Sequence, residues 1–418
     1  MDERAPSPGD DLRRAPRAID LLRERSPYRP FLGALTLSWI GDGISMAALL
    51  LYVEAIEGTG VAVGALLLTQ TLPRLVGPLA GSVADRTDTV RLMIGCDLGQ
   101  AAVYGAIAAL LPSLGPLLGL VFIASVLQSG TSAARGAMLP ALVGEERLLG
   151  ANVLLGAGFN LQVAIGPILG GVLFASGGAD VALAVNAMTF LVSAGLLALV
   201  RVPRIPREPI GGVLAEAREA FSFVWREPLV RTLVLSLTLA IAFLSLDNVA
   251  LVFLVRDTFE ASPEAYGFVF GAYGVGMLFG SLVMLLANPR SPVALFILAL
   301  ALSGSGTMLT GLAPALVAVA AVQALAGIGN SLDNAASDTL LQRAVPPQML
   351  GRVFGLMAAL AYAGNGIAAA VGGPLLDLTS PRFVFVVAGI GGLSVLAYTA
   401  PALRRFASAA NQAPRGEA

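Results

Sequence analysis

Hydrophobic residues make up 56% of the 418 positions and charged residues only 13%, too few polar residues to cover the surface of a water-soluble protein of this size. All 26 basic residues are arginine, histidine is absent, Cys96 is the single cysteine and the net charge is −1. This composition excludes a P-loop lysine for ATP, a serine–histidine triad, a Cys/His metal site and a disulfide, and it gives no electrostatic reason to expect nucleic acid. We therefore predict a membrane protein without a metal or other cofactor, in which any pumping draws on an ion gradient or a partner and not on ATP.

The amino-terminal residues 1–29 are polar and rich in arginine, and they lack the apolar run and cleavage site of a removable signal peptide. From residue 30 onward, apolar runs of about 20 residues follow one another, and each is long enough to cross a bilayer as a helix. The sequence predicts an all-α polytopic membrane protein with about twelve transmembrane helices in two six-helix bundles. The predicted spans are 30–53, 61–84, 92–112, 116–138, 151–176, 180–200, 229–254, 265–287, 293–312, 315–340, 352–376 and 382–403.

The distribution of arginine predicts the orientation, because basic residues near a span are retained on the cytoplasmic side. With the amino terminus inside, all arginines lie in tails, inner loops or inner span ends except Arg74, Arg256 and Arg382. We predict a multi-pass protein of the inner (plasma) membrane with both termini in the cytoplasm. The side of the termini is called the inner side below.

The longest polar interval after the first span divides the chain into two halves. The predicted segments are a cytoplasmic tail at 1–29, a six-helix bundle at 30–200, a linker at 201–228, a second six-helix bundle at 229–403 and a second tail at 404–418. Within the linker, apolar residues recur at helical spacing from Val213 to Trp225. This spacing predicts an amphipathic helix on the inner membrane surface.

Two ionisable residues are predicted near mid-depth in the first two spans. Asp42 lies about twelve residues into the first span and Arg74 about ten residues from the inner end of the second, and charges at this depth are costly enough to suggest a function. Burial and a neighbouring guanidinium act in opposite directions on the proton affinity of a carboxyl group. A changing contact between Asp42 and Arg74 would therefore load and unload a proton; the alternative is a static ion pair.

The loop after the second span, from Gly77 to Arg91, reads Gly-Pro-Leu-Ala-Gly-Ser-Val-Ala-Asp-Arg-Thr-Asp-Thr-Val-Arg. It resembles the inner-loop signature of the major facilitator superfamily, with Gly81, Asp85 and Arg86 in register and Asp88 at the usual position of a glycine. The resemblance implies two six-helix halves that rock around a site at the membrane midplane.

The same resemblance implies a latch between the halves at the inner side. Gly81 would allow two helices to approach closely, and Asp85 beside Arg86 would accept hydrogen bonds from the opposite half. Arg352, at the start of the eleventh span, is the predicted partner. The alternative is that Asp85 and Arg86 are ordinary turn charges at a membrane edge.

The fifth span carries small residues at every fourth position, followed by a Gly-Pro pair. This spacing resembles the antiporter signature of proton-coupled drug exporters, with one glutamine in place of a glycine, and it leaves a groove along one helix face. The alternative is an ordinary glycine-rich membrane helix. The residues are Gly158, Gln162, Gly166, Pro167, Gly170 and Gly171.

The sequence around this span, Leu148 to Asn152 before it and Val185 to Phe190 after it, resembles the branch of the superfamily that holds siderophore exporters, macrolide efflux pumps and related multidrug exporters. A further drug-exporter motif, with an arginine midway along the fourth span, is absent. Arg135 is instead expected near the inner end of that span.

Other polar residues in the spans are candidates for the transport cavity. Asp333 in the tenth span is a further proton-coupling candidate, whereas Asp97 and Asp377 are close to predicted span ends, where a solvated or capping role is expected. The substrate-cavity candidates share a polar or aromatic side chain inside a span, and they are Gln70, Gln128, Asn160, Asp247, Tyr362 and Asn365.

The combined motifs predict a proton-coupled antiporter that exports amphipathic small molecules of drug, macrolide or siderophore type by alternating access. Its expected partners are that small molecule, H⁺ and the lipid bilayer, and the resemblance implies a monomer. A metabolite symporter or facilitator is the alternative transporter, and a non-transporting scaffold or sensor is the alternative from another class. An enzyme is not predicted, because no catalytic cluster is recognisable.

Overall fold

The computed structural model describes residues 21–22, 27–75, 87–201, 213–287 and 291–412. Within these ranges the regular structure is helical throughout. The first half contains α1 (Tyr28–Glu57), α2 (Gly60–Leu75), α3 (Thr89–Leu110), α4 (Leu114–Val143) and α5 (Leu148–Leu197). The second half contains α7 (Pro228–Leu244), α8 (Asp247–Phe253), α9 (Pro263–Ala287), α10 (Pro292–Leu312), α11 (Leu316–Ala344), α12 (Pro347–Leu378) and α13 (Pro381–Gln412), and α6 (Val213–Arg226) precedes it.

Helix α5 contains the fifth and sixth predicted spans, joined at a sharp break. Gly178 has φ 87° and ψ −177°, a backbone conformation that is accessible to glycine and strained for other residues. The arm before this residue is called α5a and the arm after it α5b. One glycine thus reverses the chain with hardly any loop.

The predicted fold class, an all-α polytopic protein, is confirmed. Ten helices in the described ranges are long and apolar enough to cross a membrane. The two arms of α5 and the shorter apolar helix Gly60–Leu75 bring the candidate crossings to the predicted number. Large apolar side chains remain exposed on many of these helices, for example Leu110, Val317 and Leu378, as expected where lipid is the neighbour. The residue limits predicted for the two bundles, the linker and the tails stay predictions.

The seventh span differs from its prediction as one continuous helix. It consists of α7 and α8, which are separated at Ser245 and Leu246, and it ends in a π-helical turn at Leu254–Thr258. Asn248 Nδ2 donates a hydrogen bond to the carbonyl oxygen of Ser245 at 3.3 Å. Short polar side chains compete with the helical hydrogen bonds in this way, so the break lies where Ser245, Asp247 and Asn248 interrupt an apolar run.

Helix α6 lies at the position of the predicted amphipathic linker helix. Its Ala220 and Val224 are buried, whereas Phe221 and Trp225 are exposed and stack on each other with ring centroids 5.6 Å apart. Arg352 at the start of α12 pairs with Glu219 of this helix. The linker helix is therefore fixed to the second half, with an aromatic pair on its free side.

The two halves are in direct backbone contact on the outer side. A Cβ atom at Gly60 or Gly373 would overlap the backbone of the other helix, so α2 and α12 are in direct backbone contact there. Gly171 of α5a and Gly267 of α9 make a second contact of this kind. The structure is closed on the outer side.

Polar contacts reinforce this closure at two places. The Asp377 carboxylate of α12 accepts hydrogen bonds from the backbone N–H groups of Gly60 and, at 3.0 Å, of Val61, which are free donors at the start of α2. Glu54 of α1 lies 3.6 Å from the Arg256 guanidinium of the seventh span. The capping role expected for Asp377 is thereby observed, and it joins the two halves.

Candidate proton and substrate sites

Asp42 lies halfway along α1 and is only 9% exposed. Gln128 of α4 donates from Nε2 to Asp42 Oδ2 at 2.7 Å, and its Oε1 accepts from the Arg74 guanidinium at 2.6 Å. The predicted direct pair of Asp42 and Arg74 is therefore wrong in its geometry, because a glutamine amide lies between the two charges. Gln128 bridges an acid and a base, and the contact with substrate expected for it stays a prediction.

The chain of contacts continues from Arg74 into the other half. The Arg74 guanidinium lies 5.9 Å from the ring centroid of Tyr362 in α12, a distance at which a cation is attracted to an aromatic face. This series of side-chain contacts links the carboxyl group in α1 to the second half. It is called the Asp42 chain below and runs from Asp42 through Gln128 and Arg74 to Tyr362. Movement of the halves relative to each other would change its last contact.

A small pocket beside Asp42 holds two more ionisable side chains, Asp97 and Arg135. Asp97 is 2% exposed and accepts a hydrogen bond from the Ser193 hydroxyl at 2.6 Å, so the solvated position expected for it is wrong. Its helix begins earlier than predicted, since Asp88 accepts from the Arg91 N–H at 3.1 Å and caps α3. Asp97 is consequently about 12 Å inside the helix.

Arg135 lies 5.2 Å from the ring centroid of Trp39 in α1 and lines the same pocket as Asp42. Arg135 was expected near the inner end of the fourth span, and it nevertheless lies beside the buried acids Asp42 and Asp97. Sequence reasoning missed both Asp97 and Arg135 as neighbours of Asp42. A signal for Asp97 was available in the sequence: if Asp88 is recognised as the start of the helix, Asp97 lies two turns inside it.

The glycine-rich pattern of the fifth span positions the segment that carries Asp42. A Cβ atom at Gly43 would overlap the Gln162 carbonyl oxygen and the Gly166 Cα, so α1 and α5a are in backbone contact next to Asp42. The groove continues along the same side of α5a, where Gly158 faces Thr36 and Trp39, and Gly170 faces Ile44 and Ala47.

A different side of the same helix contacts the second half. Gly171 packs against Pro263 and Gly267 of α9, and the Pro167 carbonyl oxygen lies against Gly267. The helix with the motif thus touches both the Asp42 segment and the opposite half. A movement of the Asp42 segment could therefore be transmitted through this helix to the opposite half, and the reverse.

A larger cavity lies in the second half, lined by α7 to α11 and by Val163 of α5a. Its empty volume, including the open mouth, is about 1050 Å³. Asp247 and Asp333 both line it, together with three aromatic side chains, Tyr266, Phe270 and Tyr273. The structure thus brings two of the predicted polar residues, from the seventh and tenth spans, to one cavity. It is called the carboxylate cavity below.

The remaining cavity candidates are dispersed. Tyr362 ends the Asp42 chain, and Asn365 donates back to the Ala361 carbonyl oxygen of its own helix at 3.1 Å. Gln70 and Asn160 are half-buried and line neither of the two cavities described above. The structure gives these last three residues no shared place.

The predicted inner-loop latch falls largely on undescribed positions, because Gly81, Asp85 and Arg86 lie outside the described residues. Arg352 is described, and its guanidinium contacts the Glu219 carboxylate at 2.6 Å. Both side chains are partly exposed to the surroundings. The pairing of Arg352 with Asp85 stays a prediction.

This chain is similar to known transport proteins over most of its length. The profile of the Major Facilitator Superfamily matches residues 31–255 and again residues 235–417. The multidrug efflux pump Tap of Mycolicibacterium fortuitum is 27% identical over 403 residues, which cover 92% of this chain and 98% of that protein. The enterobactin exporter EntS of Shigella boydii is 29% identical over 410 residues, covering 93% of this chain and 95% of the exporter.

Among solved structures, a mutant of the nucleoside transporter NupG has the same fold. Its TM-score is 0.75 at 14% sequence identity, and the match covers 90% of this chain and 99% of that chain. Helix order and packing are therefore shared even where few residues are.

Proposed function

This chain belongs to the Major Facilitator Superfamily, so it is a membrane transporter and not an enzyme, and we propose that it exports amphipathic small molecules in exchange for protons. Tap and EntS, two similar full-length relatives, are a multidrug efflux pump and an enterobactin exporter, which supports outward transport. The arginine-rich tails support an arrangement with both termini in the cytoplasm. The protein acts as a monomer in this proposal.

The observation that carries the proposal is the Asp42 chain. Asp42 is a buried carboxyl group with one hydrogen-bond donor from a neutral amide and a guanidinium one residue further away. Protonation would remove its negative charge and weaken its hold on Gln128, because a charged acceptor makes the stronger hydrogen bond. The change would pass through Arg74 to Tyr362 in the other half.

Alternating access follows from this linkage. The outer side is closed by α2 against α12 and by α5a against α9, so exchange with the outside requires the halves to rock apart there. A proton on Asp42 would favour one arrangement of the halves and its release the other. Substrate would bind in the transport cavity once the proton has left Asp42. Because proton and substrate then alternate, the exchange is antiport.

The test is export of ethidium from energised cells that express the wild type, Asp42→Asn or Asp180→Asn. Asp180 is an exposed carboxylate near the outer turn of α5, so its substitution makes the same chemical change away from both sites. We expect the wild type and Asp180→Asn to lower ethidium retention and a protonophore to abolish this. Asp42→Asn should insert normally and show at least a tenfold lower export rate.

Three outcomes contradict the proposal. Export that continues in the presence of the protonophore would remove the proton as the driving ion. Wild-type export rates for Asp42→Asn, at equal amounts of membrane-inserted protein, would remove Asp42 from the coupling path. Uptake of ethidium instead of export would favour a symporter.

A further inference from the structure

The carboxylate cavity differs from ordinary polar cavities in the charge of its lining. Asp247 and Asp333 bring two carboxyl groups to its wall, whereas none of the described residues that line it is basic. Neither carboxyl group forms an ion pair with a described residue, and Oδ1 of Asp333 is buried without a hydrogen-bond partner among them. A buried acid without a partner is costly, and either a proton or a bound cation would remove this cost.

A second unsatisfied group lies in the same wall. Gln323 of α11 is only 2% exposed and lines the cavity, and the described part of the chain gives its amide no hydrogen-bond partner. Buried amides in native proteins nearly always have one. Gln323 therefore provides a donor and an acceptor inside the cavity that are free for a ligand.

The aromatic side chains give the cavity a face for an apolar or cationic body. Tyr266 and Phe270 lie next to each other, with ring centroids 5.9 Å apart. Tyr273 lines the same cavity as Asp247 and Asp333. Aromatic faces attract cations electrostatically and also bury apolar surface, so these rings fit a ligand with both properties.

From these features we propose that the carboxylate cavity binds the transported molecule as an organic cation. Its ammonium or onium group would be attracted by the Asp247 and Asp333 carboxylates, and its apolar body would pack on Tyr266, Phe270 and Tyr273. Gln323 would hydrogen-bond a polar group on the ligand. This inference rests on the proposed export function and names the substrate class for it.

The break in the seventh span gives the carboxyl groups their positions. Asp247 begins α8 directly after the interruption at Ser245 and Leu246, so its side chain is placed at the start of a helix turn beside the cavity. Asp333 lies on α11, another of the helices that line the cavity. The two acids therefore come to the cavity from different helices.

The charge of the ligand can be tested with two ions of nearly the same shape. Tetraphenylphosphonium is a lipophilic cation and tetraphenylborate its anionic counterpart, so a difference between them reports charge and not size. Equilibrium dialysis would measure the binding of each radiolabelled ion to the purified full-length protein in a neutral detergent, with protein-free micelles as the blank. We expect the cation to bind at least tenfold more tightly than the anion.

Substitutions then locate the binding. Asp333→Asn and Asp247→Asn should each lower the affinity for tetraphenylphosphonium at least tenfold, and Asp333→Glu should retain part of it. Asp180→Asn is the matched control and should bind as the wild type does. Size-exclusion profiles and melting temperatures establish that each variant is folded, and the comparison of the two ions on the wild type needs no variant.

Equal binding of the two ions, or no binding of the cation, would overturn the inference. A cavity whose acids are simply protonated would give the first result. Cation binding that is insensitive to both aspartate substitutions would also overturn it. These outcomes are separate from those of the export test, because cation binding without protonophore-sensitive export contradicts proton coupling and leaves the cation site standing.

Discussion

The two halves of this transporter bury carboxyl groups in opposite surroundings. In the first half, Asp42 has Gln128 as its donor and Asp97 has Ser193, and the positive charge of Arg74 is one side chain away. In the second half, Asp333 has a buried oxygen without a partner in the part of the chain that the structure describes, and the described lining of the cavity holds no basic side chain. An acid whose ionised form has donors within the protein can release its proton without needing a ligand. An acid that is left unsatisfied is suited to binding a cation from outside the chain.

The largest expected effect tests whether the first half of the molecule carries the proton coupling. Arg74→Ala removes the positive charge one side chain away from Asp42; loss of a directly paired buried charge costs about 3–5 kcal/mol, which is the upper bound here because Gln128 lies between the two groups. Proton-driven ethidium export should fall at least tenfold, with Arg74→Lys between the variant and the wild type because lysine keeps the charge but not the planar group. Export rates per amount of inserted protein measure this, and wild-type rates for Arg74→Ala would mean that the end of the Asp42 chain carries no coupling.

The next effect concerns the second half of the molecule, where a substitution adds a positive charge to the carboxylate cavity. Gln323→Lys would place an ammonium group in the carboxylate cavity, where it competes with the ligand for Asp247 and Asp333. The affinity for tetraphenylphosphonium should fall at least tenfold, which is about 1.4 kcal/mol. Gln323→Leu, which removes the amide without adding a charge, should have a smaller effect in the same dialysis measurement. Equal losses for the two variants would show that the amide matters and the charge does not.

The smallest effect sharpens the role of the bridging amide. Gln128→Leu keeps the size of the side chain but separates Asp42 from Arg74, and we expect export to fall about threefold to tenfold, an effect of about 1 kcal/mol, the size of one hydrogen bond. The double variant with Arg74→Ala should export no more slowly than Arg74→Ala alone, because residues in one network are not additive. Multiplying effects in the double variant would mean that the two residues act independently.

The sequence was sufficient for the fold because long apolar runs and the arginine distribution depend on the lipid and not on side-chain partners. The turn at Gly178 and the start of α6 at Val213 were also within reach of local patterns. The break at Ser245 was not predicted, since the flanking apolar run is long enough for one uninterrupted helix. A few adjacent polar side chains outweighed it.

The site was less predictable, because it depends on how each helix is rotated about its axis. Helices surrounded by lipid and by other helices are apolar on every side, so the sequence does not reveal which face is buried. Asp42 and Arg74 were found from their depth alone. Their separation by Gln128 and the pairing of Arg352 with Glu219 depend on contacts between distant parts of the chain, for which a single sequence contains no local signal.

The closure of the outer side has an electrical consequence. Each elementary charge that crosses the membrane moves through a potential worth about 2.3 kcal/mol per 100 mV. A continuous file of water through the protein would let ions cross and would dissipate this potential. Between Gly60 and Gly373 the backbones leave no room even for a methyl group, and Asp377 occupies the free N–H groups at the start of α2 that would otherwise hold water. The contact between α2 and α12 therefore acts as insulation, and the same seal that sets the direction of access preserves the voltage across the bilayer.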